Sequence, residues 1–391
     1  MAVTTRRAFV GGFGAMLTSG KLSASRSPAR ATVAAEKTFP FLFWHDDSIL
    51  VPIAANGAGT EGIVDSAAAV SMIDRYFATA ARVGLTSAGQ SLAGPGGRFR
   101  ASRTAPFQLS VADRVTLLPW AAVVDLSEVS RAMGWPVRFI LGQDVLRQYV
   151  FDFRFDTKRF AAIAAEAAFD TSGLVELALG RGVRQEPTIE IEIEGNPPIT
   201  AAVDTGNSNP LLLSATYADG VGLSKRKSST GLSATASGLS RNQLISVKSL
   251  RLADLEVRDV PTEIYSAWTS NGSPANIGMP LLAGRRLVLD FGKDRLWRTP
   301  PAPAALRKDR SGLGLVVRSD RLIVVHVASE SPAEAAGWRV NEEITGIDGK
   351  QVGLSYNKGD LWRWRFRPAG TIVELKLASG KVKHLRLADY C

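Results

Sequence analysis

Ala202-Val203-Asp204-Thr205-Gly206 is the stretch that decides the fold of this 391-residue chain, because Ile63-Val64-Asp65-Ser66-Ala67 anticipates it 139 positions earlier. Both stretches run from an apolar residue into Asp, then a hydroxyl residue, then a small one. A second pair of motifs follows in the same order. Phe139-Ile140-Leu141-Gly142 and Ala275-Asn276-Ile277-Gly278 end on glycines 136 positions apart. Each is followed by a similar tail. Val145-Leu146-Arg147-Gln148 leads to an apolar, aromatic segment ending at Arg159-Phe160. Leu281-Leu282 leads to Arg286–Phe291 and then Arg295-Leu296-Trp297. Two motifs in register at nearly one separation mark an internal duplication.

The residues around each Asp read as β-structure. Ile189 to Glu194 alternates isoleucine with glutamate, the period of a half-buried strand. Gly195-Asn196-Pro197-Pro198 breaks it, and Ile199 to Val203 resumes as a strand that delivers Asp204. In the first half, Ile49 to Ala55 is apolar, Asn56-Gly57 turns the chain, and Gly62 to Val64 leads into Asp65. After Asp65, the Ala-rich segment from Val70 to Leu85 carries Ile73, Phe77, Ala80 and Ala81 at helical spacing, which predicts a helix there.

A pair of such aspartates has a specific chemistry. Two carboxyls a few ångströms apart disfavour double ionisation and hold one shared proton. The ionised member can take a proton from water while the protonated member hydrogen-bonds a scissile carbonyl. A hydroxyl beside each Asp can tie the two turns together, and a small residue after it permits close backbone approach.

These residues resemble the retropepsin-like aspartyl proteases, over roughly residues 45–300 counted as two copies. The resemblance implies a mainly β fold of two tandem acid-protease β-barrel lobes, forming a pepsin-like bilobal unit. The expected boundaries are 36–165 and 166–300. It implies Asp65 and Asp204 as the catalytic pair, Ser66 and Thr205 as the hydroxyl bridge, and Gly142 and Gly278 in the supporting loops. Gly94-Pro95-Gly96-Gly97 and Gly231 to Gly238 fall where two flap hairpins would lie. The substrate would be an extended polypeptide cleaved without cofactor, at acid pH around 4–5. Two departures stand out. Ala67 replaces the usual Gly, where the second copy keeps Gly206. Asn207 stands where a smaller residue is usual. These departures leave open a peptide-binding protein that has lost turnover.

Residues 299–304 are Pro-rich and mark a joint, taken with a linker over 301–310. Beyond it, over 311–391, come Ser311-Gly312-Leu313-Gly314-Leu315, a strand from Arg321 to Val327, a capped helix over Ser331 to Gly337, and a strand with a turn from Glu343 to Lys350. This order resembles a PDZ domain. The resemblance implies that Gly312, Leu313, Gly314 and Leu315 receive a peptide C-terminal carboxylate and that the peptide adds as a strand. A scaffold acting through this module alone is a further alternative. Leu361 to Phe366 alternates bulky apolar residues with Arg and reads as a helix with Trp inside and Arg outside.

Composition narrows the remaining classes. Hydrophobic residues make up 45%, enough for extensive cores. The net charge of +10 is dispersed, its densest cluster being Lys225-Arg226-Lys227, and no nucleic-acid signature accompanies it. The single Cys391 allows no internal disulfide, and the three His residues form no recognisable metal set. At the N-terminus, Thr5-Arg6-Arg7-Ala8-Phe9-Val10 resembles a twin-arginine export signal, with cleavage after Ala29-Arg30-Ala31. The signal region is taken as residues 1–35, and its removal would leave a periplasmic or secreted protein without an integral membrane segment. Two lobes in one chain predict a monomer.

Overall fold

The sequence alternation around each Asp becomes a curled sheet in the computed structural model, which describes residues 36–94, 97–235, 238–266, 268, 272–300 and 306–391. The expected export signal, residues 301–304 of the joint and the tips of both expected flaps (95–96 and 236–237) lie outside the described residues. In the first half, Ser48–Ala55 and Ala58–Val64 form a hairpin whose turn residues Asn56 and Gly57 both have positive φ, at 46° and 83°. That is the backbone twist Asn-Gly favours between paired strands. Ala58–Val64 then runs parallel to Phe139–Leu141, which itself pairs antiparallel with Met72–Asp74.

The second half repeats this wiring. Pro187–Ile193 pairs with Ile199–Asp204, Ile199–Asp204 runs parallel to Ala275–Gly278, and Ala275–Gly278 is antiparallel to Leu211–Ser214. A further pairing of Pro187–Ile193 with Gly238–Leu252 curls the sheet back on itself. The protein is thus mainly β, with the Asp-bearing strand at an equivalent place in each sheet.

A third sheet joins the halves. Tyr149–Arg154 from the first pairs antiparallel with Arg286–Asp290 from the second, so the two Asp turns sit on one shared base. The seam is reinforced by a nearly buried ion pair, Arg286 Nε to Asp152 Oδ1 at 2.7 Å. One hydrophobic core runs through both halves, including Phe139, Phe151, Phe153 and Phe160 of the first and Phe291 of the second. Each such ring contributes about 1.5–3 kcal/mol by leaving water, before the entropy of ordering is subtracted.

The helix expected from Val70 to Leu85 is shorter than its periodicity predicts. Met72–Asp74 is a strand, and the helix spans only Arg75–Ala80. Asp74 is the reason: its carboxylate caps the N–H groups of Tyr76 and Phe77, fixing the helix start after the strand. Ile73 is fully buried as a strand residue instead.

The C-terminal segment has its own sheet, ordered Leu313–Arg318, Arg321–Val327, Glu343–Ile347, Ile372–Leu377 and Val382–Arg386, and its own core around Trp338, Tyr356 and Trp364. Pro332–Ala335 forms the short helix capped by Ser331. Leu361–Phe366 is a 3-10 turn, not an α-helix; Trp362 and Trp364 are buried as expected, but so in large part is Arg365, paired with Asp309. This segment docks on both halves. His45 stacks on Trp362 at 4.1 Å between ring centroids, Arg363 pairs with Asp46 at 2.5 Å, and the Thr230 hydroxyl and carbonyl both meet His326 Nε2.

Candidate active site

Each Asp ends a buried strand and turns its carboxyl into its own loop. Asp65 Oδ1 accepts the N–H groups of Ala67 and Ala68, both at 2.9 Å; Asp204 Oδ1 accepts the N–H of Gly206 at 2.9 Å. The loops then grip one another through their hydroxyls. Ser66 Oγ donates to the Val203 carbonyl at 2.6 Å and accepts the Thr205 N–H at 3.0 Å. Thr205 Oγ1 donates to the Val64 carbonyl at 2.8 Å and accepts the Ser66 N–H at 3.0 Å. All four bonds are buried. Each hydroxyl is satisfied as donor and acceptor, so losing one strands polar groups at a cost of about 1–3 kcal/mol.

The grip brings the carboxyls into contact: Asp65 and Asp204 share a side-chain hydrogen bond. Gly206 permits this approach, since a Cβ there would stand 2.6 Å from Asp65 Cγ. Gly142 and Gly278 permit the layer behind. A Cβ on Gly142 would lie 2.5 Å from the Val70 carbonyl carbon, and one on Gly278 would lie 2.5 Å from the Asn207 carbonyl oxygen. From there the next residue reaches the Asp loop in both halves, Gln143 N–H to the Ala68 carbonyl and Met279 N–H to the Asn207 carbonyl.

The electrostatics of the pair are unequal. Asp65 is pushed up to about 8, first by the dense protein around it and then by the Asp204 charge, against the pull of the Ala68 and Ala67 N–H groups. Asp204 is also raised by burial, but the Asn276 amide opposes this, donating to Asp204 Oδ2 at 2.6 Å. The hydrogen bond between the two raises Asp65 and lowers Asp204. The Asn276 amide thus favours the ionised form of Asp204, with no such side-chain donor on Asp65. Asn276 is itself held by Asn207, whose Nδ2 donates to Asn276 Oδ1 at 2.8 Å. Sequence reasoning recorded Asn207 only as a departure and Asn276 only as part of an apolar motif; the polar residue inside that motif was the available signal.

A cleft of about 710 Å³ opens over the pair. Asp65, Ala67, Asp204 and Gly206 lie in it, with Leu232 from the Ser229–Thr235 strand on one side and Met133 from the Ser127–Met133 helix on another. Gly312, Leu313 and Gly314 do not join it. They line a second cavity of about 660 Å³ between the second half and the C-terminal segment, while Leu315 lies next to them on the edge strand Leu313–Arg318. Within that loop the Leu313 N–H already donates to Ser311 Oγ at 3.1 Å.

Among the described residues no group of three His, Cys, Asp or Glu is placed to hold a metal ion. Nor is any helix of the described residues long and apolar enough to cross a membrane. Residues 189–281 match the family model for aspartyl protease, which supports a retropepsin-like aspartyl protease there. The match holds Asp204, Thr205, Gly206 and Gly278 and leaves out Asp65. No curated protein matches the chain.

Proposed function

We propose that the protein is an aspartic endopeptidase in which Asp65 and Asp204, one from each half of a two-lobed unit, activate a single water. Ionised Asp204 takes a proton from the water as it attacks the scissile carbonyl. Protonated Asp65 hydrogen-bonds the carbonyl oxygen and steadies the charge that develops there. The observation that supports this reading is the reciprocal grip of Ser66 and Thr205, which ties the two Asp turns together where both aspartates line one cleft. Metal and cofactor play no part in the proposed steps.

The protonation states set a working range. Activity falls as the pH rises through Asp65's value of about 8, because the proton donor is lost. It falls again as the pH drops through the value of Asp204, because the base is lost. Both values are raised by burial, so the window moves upward from the acid range suggested by the sequence and extends to neutrality. Asp204→Asn and Asp65→Asn are each expected to lower peptide cleavage about a thousandfold or more. Undiminished cleavage in either variant overturns the proposal, as does a profile confined to pH below 4.

The C-terminal segment is proposed as a PDZ-like module that captures peptide termini, and residues 1–35 as a twin-arginine signal for export. The edge position of Leu313–Arg318 supports the first, since an edge strand can accept an added one. A peptide ending in a free carboxylate should bind the module more tightly than its amidated form.

A further inference from the structure

Three carboxylates besides the pair line the cleft: Asp47, Glu186 and Glu263. Their partners differ. Asp47 is neutralised, with Arg307 at 3.1 Å and the Ser48 hydroxyl at 3.0 Å. Glu186 stands at the equivalent position of the second half, 139 residues on, and has no such cation. It is only 2% exposed; Oε2 accepts the Arg184 N–H at 2.8 Å, while Oε1 is buried with no hydrogen-bond partner among the described residues. The carboxyl packs against the Gly182 backbone, where a Cβ would overlap it. Glu263, 7% exposed, receives the Ser233 hydroxyl at 2.6 Å and the Asn242 amide at 2.9 Å, both uncharged. Neither Glu186 nor Glu263 makes an ion pair among the described residues.

Little on the cleft walls offsets these charges. His45 is held neutral near physiological pH, its value lowered to about 4 chiefly by burial. Arg184 reaches the same corner as Glu186, and among the described residues the two side chains make no ion pair. A chain of net charge +10 thus presents an acidic wall where a substrate would lie. A buried acceptor without a donor costs about 1–3 kcal/mol, and a group that supplies the donor recovers that cost. With no third metal-ligating side chain grouped there among the described residues, an organic cation fits better than a metal ion.

We infer that Glu186, supported by Glu263, selects polypeptides carrying Lys or Arg close to the scissile bond, the basic side chain supplying the missing donor to Glu186 Oε1. This rests on reading the cleft as the substrate site. The direct test changes the substrate alone. The full-length protein is given paired peptides identical except that one lysine is acetylated. The free-lysine peptide is expected to be cleaved with kcat/KM higher by roughly tenfold to a hundredfold. Glu186→Gln is expected to bring that ratio close to one, as Gln can meet a basic group only as a neutral acceptor. Equal cleavage of the two peptides by the unmodified protein overturns the inference, as does a preference that survives Glu186→Gln. If nothing is cleaved, the protease reading fails separately. Calorimetric binding of the same pair then decides: tighter binding of the free-lysine peptide, lost in Glu186→Gln, upholds the inference, and equal binding ends it.

Discussion

Asp65 is held by two backbone amides of its own loop, whereas Asp204 is held by its loop and by a side-chain amide, Asn276, that has no counterpart across the duplication. The corresponding residue behind the first loop is Ile140. Instead the first half spends its polar groups further out. Ser71 Oγ donates to Asp144 at 2.6 Å and receives the Gly142 N–H at 3.0 Å, where the second half has Pro280 in place of Asp144. The backbone wiring of the two halves is the same, and the side chains around it have diverged. The lesson is that a symmetric frame can carry an asymmetric charge state. Two identical carboxyls would share their proton equally; Asn276, on one side only, favours the ionised form of Asp204, which is the form the proposed mechanism uses as base.

The difference at the small residue after each hydroxyl offers the strongest way to break this comparison. Gly206 has no room for a side chain: a Cβ there would press on the carboxyl of Asp65. Gly206→Ala should therefore displace Asp65, and a misplacement of this size is expected to lower kcat about a hundredfold or more. The measurement is peptide cleavage by a variant whose melting profile shows that it still folds. Wild-type rates in such a variant would mean that the loops are far more compliant than their four-bond grip suggests.

Asn276→Leu makes the second half resemble the first and should have a moderate effect. It removes the bond that lowers Asp204, so the value of Asp204 rises and the acid limb of the pH–rate profile moves to higher pH. The basic limb, governed by Asp65, should move less. The variant also strands the Asn207 amide, so stability should fall by about 1–3 kcal/mol. An acid limb that stays in place would remove Asn276 from the account of where the proton sits.

Much of this frame could be read before any coordinates. The repeated Asp turns follow from local pattern and from spacing within one chain, and the hydroxyl bridge and the two close-packed glycines from the family resemblance that those turns carry. What stayed hidden depends on neighbours remote in sequence. Asn276 finds Asp204 72 residues away, only after two parallel strands are in register. Ile73 has helical spacing, yet pairing with Phe139–Leu141 and Ala122–Val124 places it in a strand. Glu186 looks like one more acid just ahead of the alternating run; its unpaired oxygen emerges only from the packing around Gly182. The joining sheet, which sets the halves on a common base, could not be inferred from either tail alone.

The smallest expected effect belongs to Ala67, the departure that most threatened activity when read from sequence. In the structure its N–H bonds Asp65, its backbone lies outside the positive-φ region, and the grip between Ser66 and Thr205 closes fully beside it. The Cβ is therefore accommodated, unlike the one that Gly206 excludes. Ala67→Gly would add backbone freedom to the unfolded chain without relieving a clash. Stability should fall by about 0.5–1 kcal/mol, and cleavage measured well below the melting temperature should stay within about threefold of wild type. A large gain in rate would show that Ala67 holds the first loop away from its best position, and that the two halves are less alike at their centre than their shared hydrogen bonds suggest.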